Sequence, residues 1–143
     1  MDIGWASDRD LPEIRALLRA CALQDDDVGR PAQRFLVARS GAELLGCIGF
    51  EVHGQDGLLR SFAVAPGQRR RGLGAALHDR AVKEAAALGV RRLFLLTTTV
   101  RERALRAGFV DVPRELVPAS IREGEQFRSL CPASAACMVL RLP

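Results

Sequence analysis

The sequence predicts an α/β (α+β) fold built on one mixed, mostly antiparallel sheet. Two observations support this prediction. Residues 35–64 contain three short apolar segments divided by glycine-containing turns, which is the spacing of an antiparallel meander. A strand, a basic glycine-containing turn, a long helix and a further strand then follow over residues 58–97. A βαβ unit of this kind places its two strands parallel to each other.

The chain begins with a predicted strand at residues 3–6 and a helix that starts at Leu11. Asp10 is a candidate cap for this helix, and Glu13 stands three residues after it, as in a capping box. Pro12 suits the first helical turn. The apolar face of the helix is formed by Leu11, Ile14, Leu17, Leu18 and Cys21.

The meander follows a break in the helical pattern. Residues 25–31 are acidic and then rich in turn formers, and they predict a loop or a short second helix. The three strands of the meander are expected at residues 35–39, 44–52 and 58–64. Gly46 and Gly49 lie inside the middle strand, where glycine indicates a bulge or a close approach of another group.

A long helix is predicted at residues 74–88, and Gly89 stands where a C-terminal glycine belongs. Its buried face would be formed by Leu73, Leu77, Ala81, Ala85 and Leu88. Residues 91–97 form a continuous apolar segment, which is typical of a strand buried on both faces of a sheet.

The last third of the chain has weaker patterns. They predict a helix at residues 100–107, a strand at 110–117, a short helix at 118–125 and a strand at 137–142. Pro113 indicates a bulge or an edge position within the second of these elements. Because no repeat, low-complexity tract or linker is visible, we expect a single domain over residues 1–143.

Composition limits the compartment and the partners. With 48% hydrophobic and 27% charged residues, the chain has the balance of a soluble globular protein. It has no apolar run of about 20 residues and no signal-like N-terminus, so we expect a cytoplasmic protein without a membrane partner. Four cysteines without a CxxC pair predict neither a disulfide framework nor a metal site. The positive residues behind the net charge of +4 are almost all arginines. Because aromatic residues are not interleaved with them, we do not expect a nucleic-acid partner.

The most informative feature is the junction between the third meander strand and the long helix, at residues 69–74. The N-terminus of a helix carries unpaired amides and a partial positive charge, which together bind anions. Gly72 and Gly74 lack a Cβ, so the main chain can approach a phosphate closely. Three adjacent arginines add a positive field suited to a diphosphate. The pattern is neither a Walker loop nor a GxGxxG turn, and a solvated turn is the alternative interpretation.

These residues resemble motif A of the GNAT acetyltransferase superfamily. The motif reads (Gln/Arg)-x-x-Gly-x-(Gly/Ala) after a strand ending in Val-x-Pro, and Arg69, Gly72 and Gly74 match its fixed positions. The pair Gly108-Phe109 is similar to the Gly-Phe that follows the last family helix. The resemblance implies a twisted sheet of six to seven strands with helices on both faces. It also implies that this sheet is splayed between its fourth and fifth strands, with acetyl-CoA in the gap.

The resemblance also implies which residues bind the cosubstrate, with no metal involved. The pyrophosphate would be held by Arg69, Arg70, Arg71, Gly72, Leu73, Gly74 and Ala75. The main chain of Ala63 and Val64 would pair with the pantetheine arm as an added strand does. Thr98 replaces an asparagine that is frequent in the family. Residues 95–99 and 129–138 are similar to a GNAT subgroup known as arsenic-resistance acetyltransferases.

The acid–base half of the family site is missing or rebuilt. Ala104 occupies the place of a frequent tyrosine, the chain has no tyrosine, and Leu58 replaces a glutamate that serves some members as base. Candidate catalytic groups for a water chain are Glu51, His53 and Ser61. An outward Glu51 paired with an arginine, and a solvent-exposed His53 on a hairpin, are the alternatives. We expect His78 to face solvent or the cosubstrate rim.

The predicted reaction is acetyl transfer from acetyl-CoA to a primary amine of a small amino-acid-like or toxic compound. Residues 24–28 and 117–130 would shape the acceptor side, and edge strands leave a homodimer possible. A low-pKa amine is the better match, because an α-amino group with a pKa of about 8 is far more often neutral than lysine. The alternatives are acetylation of a protein N-terminus or lysine, a non-catalytic CoA sensor, and a metalloid binder using Cys131 and Cys137.

Overall fold

The computed structural model describes residues 1–69, 71–97, 100–124, 127 and 135–143. Four helices are present in these residues: α1 (Leu11–Ala20), α2 (Leu73–Ala87), α3 (Arg101–Arg106) and α4 (Ala119–Arg122). The described strands are β1 (Asp2–Trp5), β2 (Gln33–Ser40), β3 (Glu43–His53), β4 (Asp56–Val64), β5 (Arg92–Thr97), β6 (Val110–Asp111) and β7 (Ala136–Arg141). None of the described helices combines the length and the apolar character that a membrane crossing requires.

The strands form one seven-stranded sheet in the order β1-β2-β3-β4-β5-β7-β6. Strands β1 to β4 pair in antiparallel fashion, which confirms the predicted meander. Strand β4 runs parallel to β5, as the predicted βαβ unit requires, because α2 forms the crossover between them. Strand β7 inserts between β5 and β6 and is antiparallel to both. The predicted mixed, mostly antiparallel sheet is therefore confirmed.

Helices cover both faces of the sheet, also as predicted. The core on one face joins α2 and α3 to the sheet, and α2 contributes Leu73, Leu77, Ala81 and Ala85. On the opposite face, α1 packs through Ile14 and Leu18 at one end. Ile121 of α4 packs at the other end of that face. The apolar stripes read from the sequence are therefore largely the buried faces of these helices. Leu88, also predicted on the buried face of α2, is the exception: it follows the last residue of the helix and is 41% exposed.

Gly49 shows why glycine occurs inside a central strand. A Cβ added there would lie 2.6 Å from the ring of Phe35 on the neighbouring strand, and real Cβ atoms do not approach so closely. The close approach that the sequence predicts at this strand is confirmed.

The predicted strand at residues 110–117 is wrong beyond its second residue. Strand β6 ends at Asp111, and a 3-10 turn follows at Arg114–Leu116. The amide of Val112 donates the last bond to Cys137 O, at 2.9 Å. Pro113 then ends the ladder, because proline has no N–H to donate to β7.

Two neighbouring predictions also change in detail. Residues 25–31 form turns rather than a second helix, which decides between the two alternatives left by the sequence. The short helix predicted at residues 118–125 covers only Ala119–Arg122, and residue 125 lies outside the described residues.

The predicted capping box between Asp10 and Glu13 is wrong. The Asp10 side chain makes no cap bond to α1; its Oδ2 instead accepts from the amide of Ser7, at 2.8 Å. Its Oδ1 accepts from Arg39 Nη2, at 2.6 Å, so Asp10 connects the start of α1 to β2. The hydrogen bond from Ser7, and then those from Arg39, hold the pKa of Asp10 below its ordinary 3.8.

We expect Asp10→Asn to lower the free energy of unfolding by about 1 kcal/mol or less at pH 7. Because the pKa of Asp10 is lower in the folded protein than in the unfolded chain, its stabilisation is complete above pH 3.8. That stabilisation is lost as the pH falls through the folded-state pKa. Urea denaturation across this range should show the two proteins converging at low pH. A difference that persists unchanged in acid, or that Asp8→Asn reproduces, would contradict this expectation.

Candidate functional site

The sheet opens between β4 and β5. These two strands pair from Asp56–Arg92 to Leu59–Leu95, and the pairing ends there. The remaining residues of β4, Arg60 to Val64, continue without β5 as a neighbour. We call the space between the two diverging strand ends the β4–β5 gap. Its unpaired strand edge is suited to an added strand-like ligand.

A bulge in β4 lies where the strands diverge. The register of β3 and β4 shifts between Cys47 and Gly49, so that one residue of β3 faces two residues of β4. Ser61 lies in this bulge with a φ of 53°, a conformation that non-glycine residues seldom adopt. Bulges bend a strand and increase its twist, which accounts for β4 leaving β5 at this point.

The N-terminus of α2 borders the same gap. A Cβ added to Gly74 would lie 3.6 Å from the ring of Phe62, 3.8 Å from a methyl group of Val64 and 3.8 Å from Arg103. Phe62 and Val64 belong to β4, and Arg103 belongs to α3. The first turn of α2 therefore lies between the free end of β4 and helix α3.

Amides at the start of α2 are available as hydrogen-bond donors. Gly72 has a φ of 79°, a left-handed conformation that glycine adopts at little cost. The first helical hydrogen bond runs from Ala76 N to Gly72 O, at 3.1 Å. The amides of Leu73, Gly74 and Ala75 come before it and therefore have no acceptor within the helix. Together with the positive end of the helix dipole, these donors fit a diphosphate.

The described arginines among the predicted cosubstrate residues lie at the turn before α2. Arg69 and Arg71 are exposed beside the turn. Arg69 donates from Nε to Val64 O, at 3.3 Å. Arg70 and Thr98 lie outside the described residues.

Ala63 and Val64, the two strand residues predicted to bind the pantetheine arm, direct their peptide groups to opposite sides of β4. Ala65 N donates to Leu45 O on β3, at 2.9 Å. Since peptide directions alternate along an antiparallel pair, Ala63 also directs its peptide groups toward β3, and Val64 directs its own toward the gap. Val64 is thus placed to pair with an added strand.

The three candidate catalytic residues meet at a buried arginine that sequence reasoning missed. Arg60 Nη1 donates to Glu51 Oε2, at 2.6 Å, and Arg60 Nε donates to Ser61 Oγ, at 3.2 Å. His53 Nε2 lies 3.0 Å from Glu51 Oε1. Arg60 Nη2 also lies 2.5 Å from Asp27 Oδ1. We call Asp27, Glu51, His53, Arg60 and Ser61 the charged cluster.

The alternatives for Glu51 and His53 are only partly right. Glu51 does pair with an arginine, but its side chain points inward and is 12% exposed. His53 is mostly buried against Glu51 rather than exposed on the hairpin. Asp27 and Arg60 are 33 positions apart in the chain, so no local pattern predicts their pairing. The one available signal was Arg60 itself, a charged residue within the apolar run of β4.

Leu58 and Ala104, two of the positions that depart from the pattern of the resembling family, are apolar and buried. Leu58 is part of the core cluster near α4, and Ala104 is part of the core beneath α2 and α3. Glu51 pairs directly with Leu58 across β3 and β4, so their side chains lie on the same face of the sheet. A carboxylate is therefore present on the strand next to the expected position.

His78 does not face solvent, because its side chain is only 16% exposed. Its ring packs against Phe109, with 5.9 Å between the centroids, and its Nε2 is buried without a hydrogen-bond partner among the described residues. The solvent-facing alternative for this side chain is therefore wrong, because Phe109 covers its ring.

The described cysteines pack in apolar surroundings or near the gap. Cys47 and Cys137 are buried in separate core clusters, and burial raises the pKa of the Cys47 thiol to about 12. Cys21 is half-buried, and its Sγ lies 3.7 Å from Val64 O. Cys131 lies outside the described residues.

The chain matches a family model over most of its length. Residues 5–108 match the model described as the acetyltransferase (GNAT) family. The matched range includes the meander, the turn before α2 and Gly108.

Solved structures share the fold. N-acetylglutamate synthase from Neisseria gonorrhoeae, complexed with coenzyme A and N-acetyl-glutamate, is 25% identical with a TM-score of 0.83. That alignment covers 99% of this chain but 35% of the synthase chain, so this chain spans about a third of that relative. Rv2747 from Mycobacterium tuberculosis, in a complex that includes CoA, is 24% identical with a TM-score of 0.82 and full coverage of both chains. An aminoglycoside 6'-N-acetyltransferase complexed with coenzyme A is 17% identical, with a TM-score of 0.75 and coverage of 100% and 98%.

Proposed function

The chain belongs to the acetyltransferase (GNAT) family, and we propose that it transfers an acetyl group from acetyl-CoA to a primary amine of a small molecule. The observation that carries this proposal is the β4–β5 gap with the N-terminus of α2 at its border. A diphosphate at the helix and an extended arm along β4 would bring a thioester to the bulge at Ser61. The CoA complexes of the structural relatives support acetyl-CoA as the cosubstrate.

Within this proposal, the amides of Leu73, Gly74 and Ala75 bind the pyrophosphate, and Arg69 and Arg71 supply positive charge around it. The main chain of Val64 pairs with the pantetheine amides. Arg69 Nε and Cys21 Sγ both donate to Val64 O in the free protein, so these side chains would have to leave that oxygen as the arm binds.

The transfer itself requires a neutral amine. Its lone pair attacks the thioester carbonyl carbon, the C–N bond forms, and the C–S bond breaks with the electron pair leaving on sulfur. The amine then loses a proton, which we assign to Glu51 through water, and the CoA thiolate takes up a proton from solvent. A carboxylate is a weak base compared with an amine, so the best acceptors are amines with a pKa near about 8.

An amino-acid-like acceptor is the narrower proposal. An α-amino group meets the requirement for a low pKa, and the gonococcal relative was solved with N-acetyl-glutamate. A small toxic amine is the other acceptor class of this proposal, and both classes belong in the panel of amines to be tested.

Release of free thiol from acetyl-CoA, measured with a panel of amines, tests the proposal. We expect α-amino compounds to react faster than lysine side chains. We also expect Glu51→Gln to lower kcat by about a hundredfold, the lower range for loss of a general base. Glu43→Gln is the matched control, because Glu43 lies on the same strand but is exposed, and it should leave the rate unchanged.

A non-catalytic CoA sensor is the second candidate. It is favoured by the buried apolar residues Leu58 and Ala104 at the positions where family members carry a base and an acid. Tight binding of CoA in calorimetry without thiol release for any amine would support the sensor and contradict the enzyme. Absence of CoA binding would contradict both.

A further inference from the structure

We propose that Arg60 is a positioning residue, whose guanidinium orients the Glu51 carboxylate and connects it to Asp27 in the loop between α1 and β2. We call residues 21–32, which connect these two elements, the 21–32 loop. The role of Glu51 in acetyl transfer rests on the proposed function, whereas the coupling between Arg60, Glu51 and Asp27 stands on geometry alone.

The three contacts of Arg60 use three different donors of one planar group. Nη1 is bound to Glu51, Nη2 faces Asp27 and Nε is bound to Ser61. A guanidinium is a rigid fork, so fixing two of its donors fixes the direction of the third. A lysine ammonium could supply the charge at this place but not the three directions.

Because Arg60 and Asp27 are both buried, each of their charges needs the other as a partner. The side chains of Arg60 and Asp27 are 3% and 1% exposed. Neither carboxylate oxygen of Asp27 has a hydrogen bond to a described group, so the ion pair with Arg60 is what compensates its charge. Removing one partner of a buried ion pair leaves an uncompensated charge, which is strongly unfavourable.

The 21–32 loop is held on both sides of Asp27. Gln33 Nε2 donates to Asp27 O, at 2.8 Å, and Gln33 Oε1 accepts from the amide of Gly29, at 2.8 Å. Arg15 Nη2 donates to Val28 O, at 2.6 Å. These contacts direct the Asp27 side chain inward to Arg60. Gln33 is also the residue of β2 that pairs with Glu51 of β3, so the residue that holds the 21–32 loop lies beside the residue that carries the carboxylate.

The position of Arg60 in β4 links this network to the gap. Leu59 is the last residue of β4 that pairs with β5, and Ser61 is the residue of the β4 bulge that has a positive φ. Arg60 stands between them, at the point where the two strands separate. Arg60 therefore joins the 21–32 loop to Glu51 at the point where β4 leaves β5.

Orientation of Glu51 has a consequence at His53. With Oε2 of Glu51 bound to Arg60, Oε1 is left for His53 Nε2, at 3.0 Å. A carboxylate oxygen can only accept, so Nε2 carries the proton and Nδ1 is the unprotonated nitrogen of the neutral ring. The tautomer of His53 thus reports whether Glu51 is oriented.

The test uses the chain's two histidines, His53 and His78, whose imidazole nitrogens can be assigned by NMR with a His53→Gln variant. In 15N-labelled wild-type protein we expect His53 to show the Nε2–H tautomer. In Arg60→Lys we expect a mixture of tautomers. Arg39→Lys is the matched control, because Arg39 also bridges two carboxylates, those of Asp10 and Glu13, at another place. It should leave His53 unchanged.

A double variant separates positioning from stability. Asp27→Asn combined with Arg60→Met removes one charge of each sign, so the net charge of the charged cluster is kept. Glu51 loses its guanidinium partner in this variant, but at 12% exposed it is the less buried of the two carboxylates, and His53 still lies beside it. We expect this protein to fold and to bind CoA with unchanged affinity in calorimetry. We also expect it to lack the His53 tautomer preference and to transfer acetyl groups about a hundredfold more slowly, as misplaced catalytic groups do.

The outcomes are distinguishable. A folded Arg60→Lys or double variant that keeps the wild-type His53 tautomer overturns the proposal. A double variant with wild-type turnover also overturns it, because Arg60 would then contribute stability alone. If the wild type turns over no amine, the proposed function fails, while the tautomer measurement still decides whether Arg60 orients Glu51.

Discussion

Gly72→Val is expected to weaken CoA binding at least tenfold, a loss of about 1.4 kcal/mol or more. Gly72 has a φ of 79°, and a β-branched residue at such an angle costs about 1–3 kcal/mol unless the backbone rotates. Rotation would turn the amides of the first turn of α2 away from the phosphates. A Cβ at this position meets no atom of the described residues within 4 Å, so the new side chain occupies the open space where the phosphate is expected. Calorimetric titration with CoA measures the effect.

Gly89→Val is the matched control for this experiment. Gly89 follows the C-terminus of the same helix and has a φ of 91°, and a Cβ added to it likewise meets no described atom within 4 Å. The two variants should therefore lose similar amounts of stability in urea, while only Gly72→Val loses CoA affinity. Equal CoA affinity in both variants would exclude the start of α2 as the phosphate site.

Leu77→Ala is expected to lower the free energy of unfolding by about 2–5 kcal/mol, the usual cost of removing a buried leucine side chain. Leu77 is fully buried in the core that joins α2 to the sheet. Its Cδ1 lies 3.0 Å from the place where a Cβ on Gly46 would be, so helix and strand are in close contact there. Urea denaturation monitored by circular dichroism provides the measurement.

Leu88→Ala, at the end of the same helix, provides the comparison. Leu88 is 41% exposed, so its truncation should change stability by about 0.5 kcal/mol or less. An effect of Leu77→Ala as small as that of Leu88→Ala would show that α2 is not held by this core. The dependence of unfolding on urea concentration should stay the same, since neither change alters the surface exposed on unfolding.

The long elements could be predicted because their own patterns are strong. The helix predicted at residues 74–88 is observed at Leu73–Ala87, and the strand predicted at 91–97 is observed at Arg92–Thr97. In the helix, apolar residues repeat at the helical period and Gly89 marks the end; the strand is a short continuous apolar run. The parallel pairing of β4 and β5 then follows from their helical crossover.

Short elements could not be predicted in the same way. The strand expected at residues 110–117 stops at Asp111, because proline removes a donor two residues later. Asp10 has the right spacing for a capping box, but it binds Ser7 and Arg39 instead. Local spacing gives a polar side chain several possible partners, and the choice among them depends on what the fold brings near.

The sequence by itself determined the three-strand meander, most of the buried face of α2 and the glycine turn before this helix, since each depends on local patterns and turns between neighbouring elements. Only the tertiary structure decided that Asp27, Glu51, His53 and Ser61 gather around Arg60. Those contacts join a loop to two strands, and their energy depends on burial and on angstrom-scale distances, which periodicity and spacing do not encode.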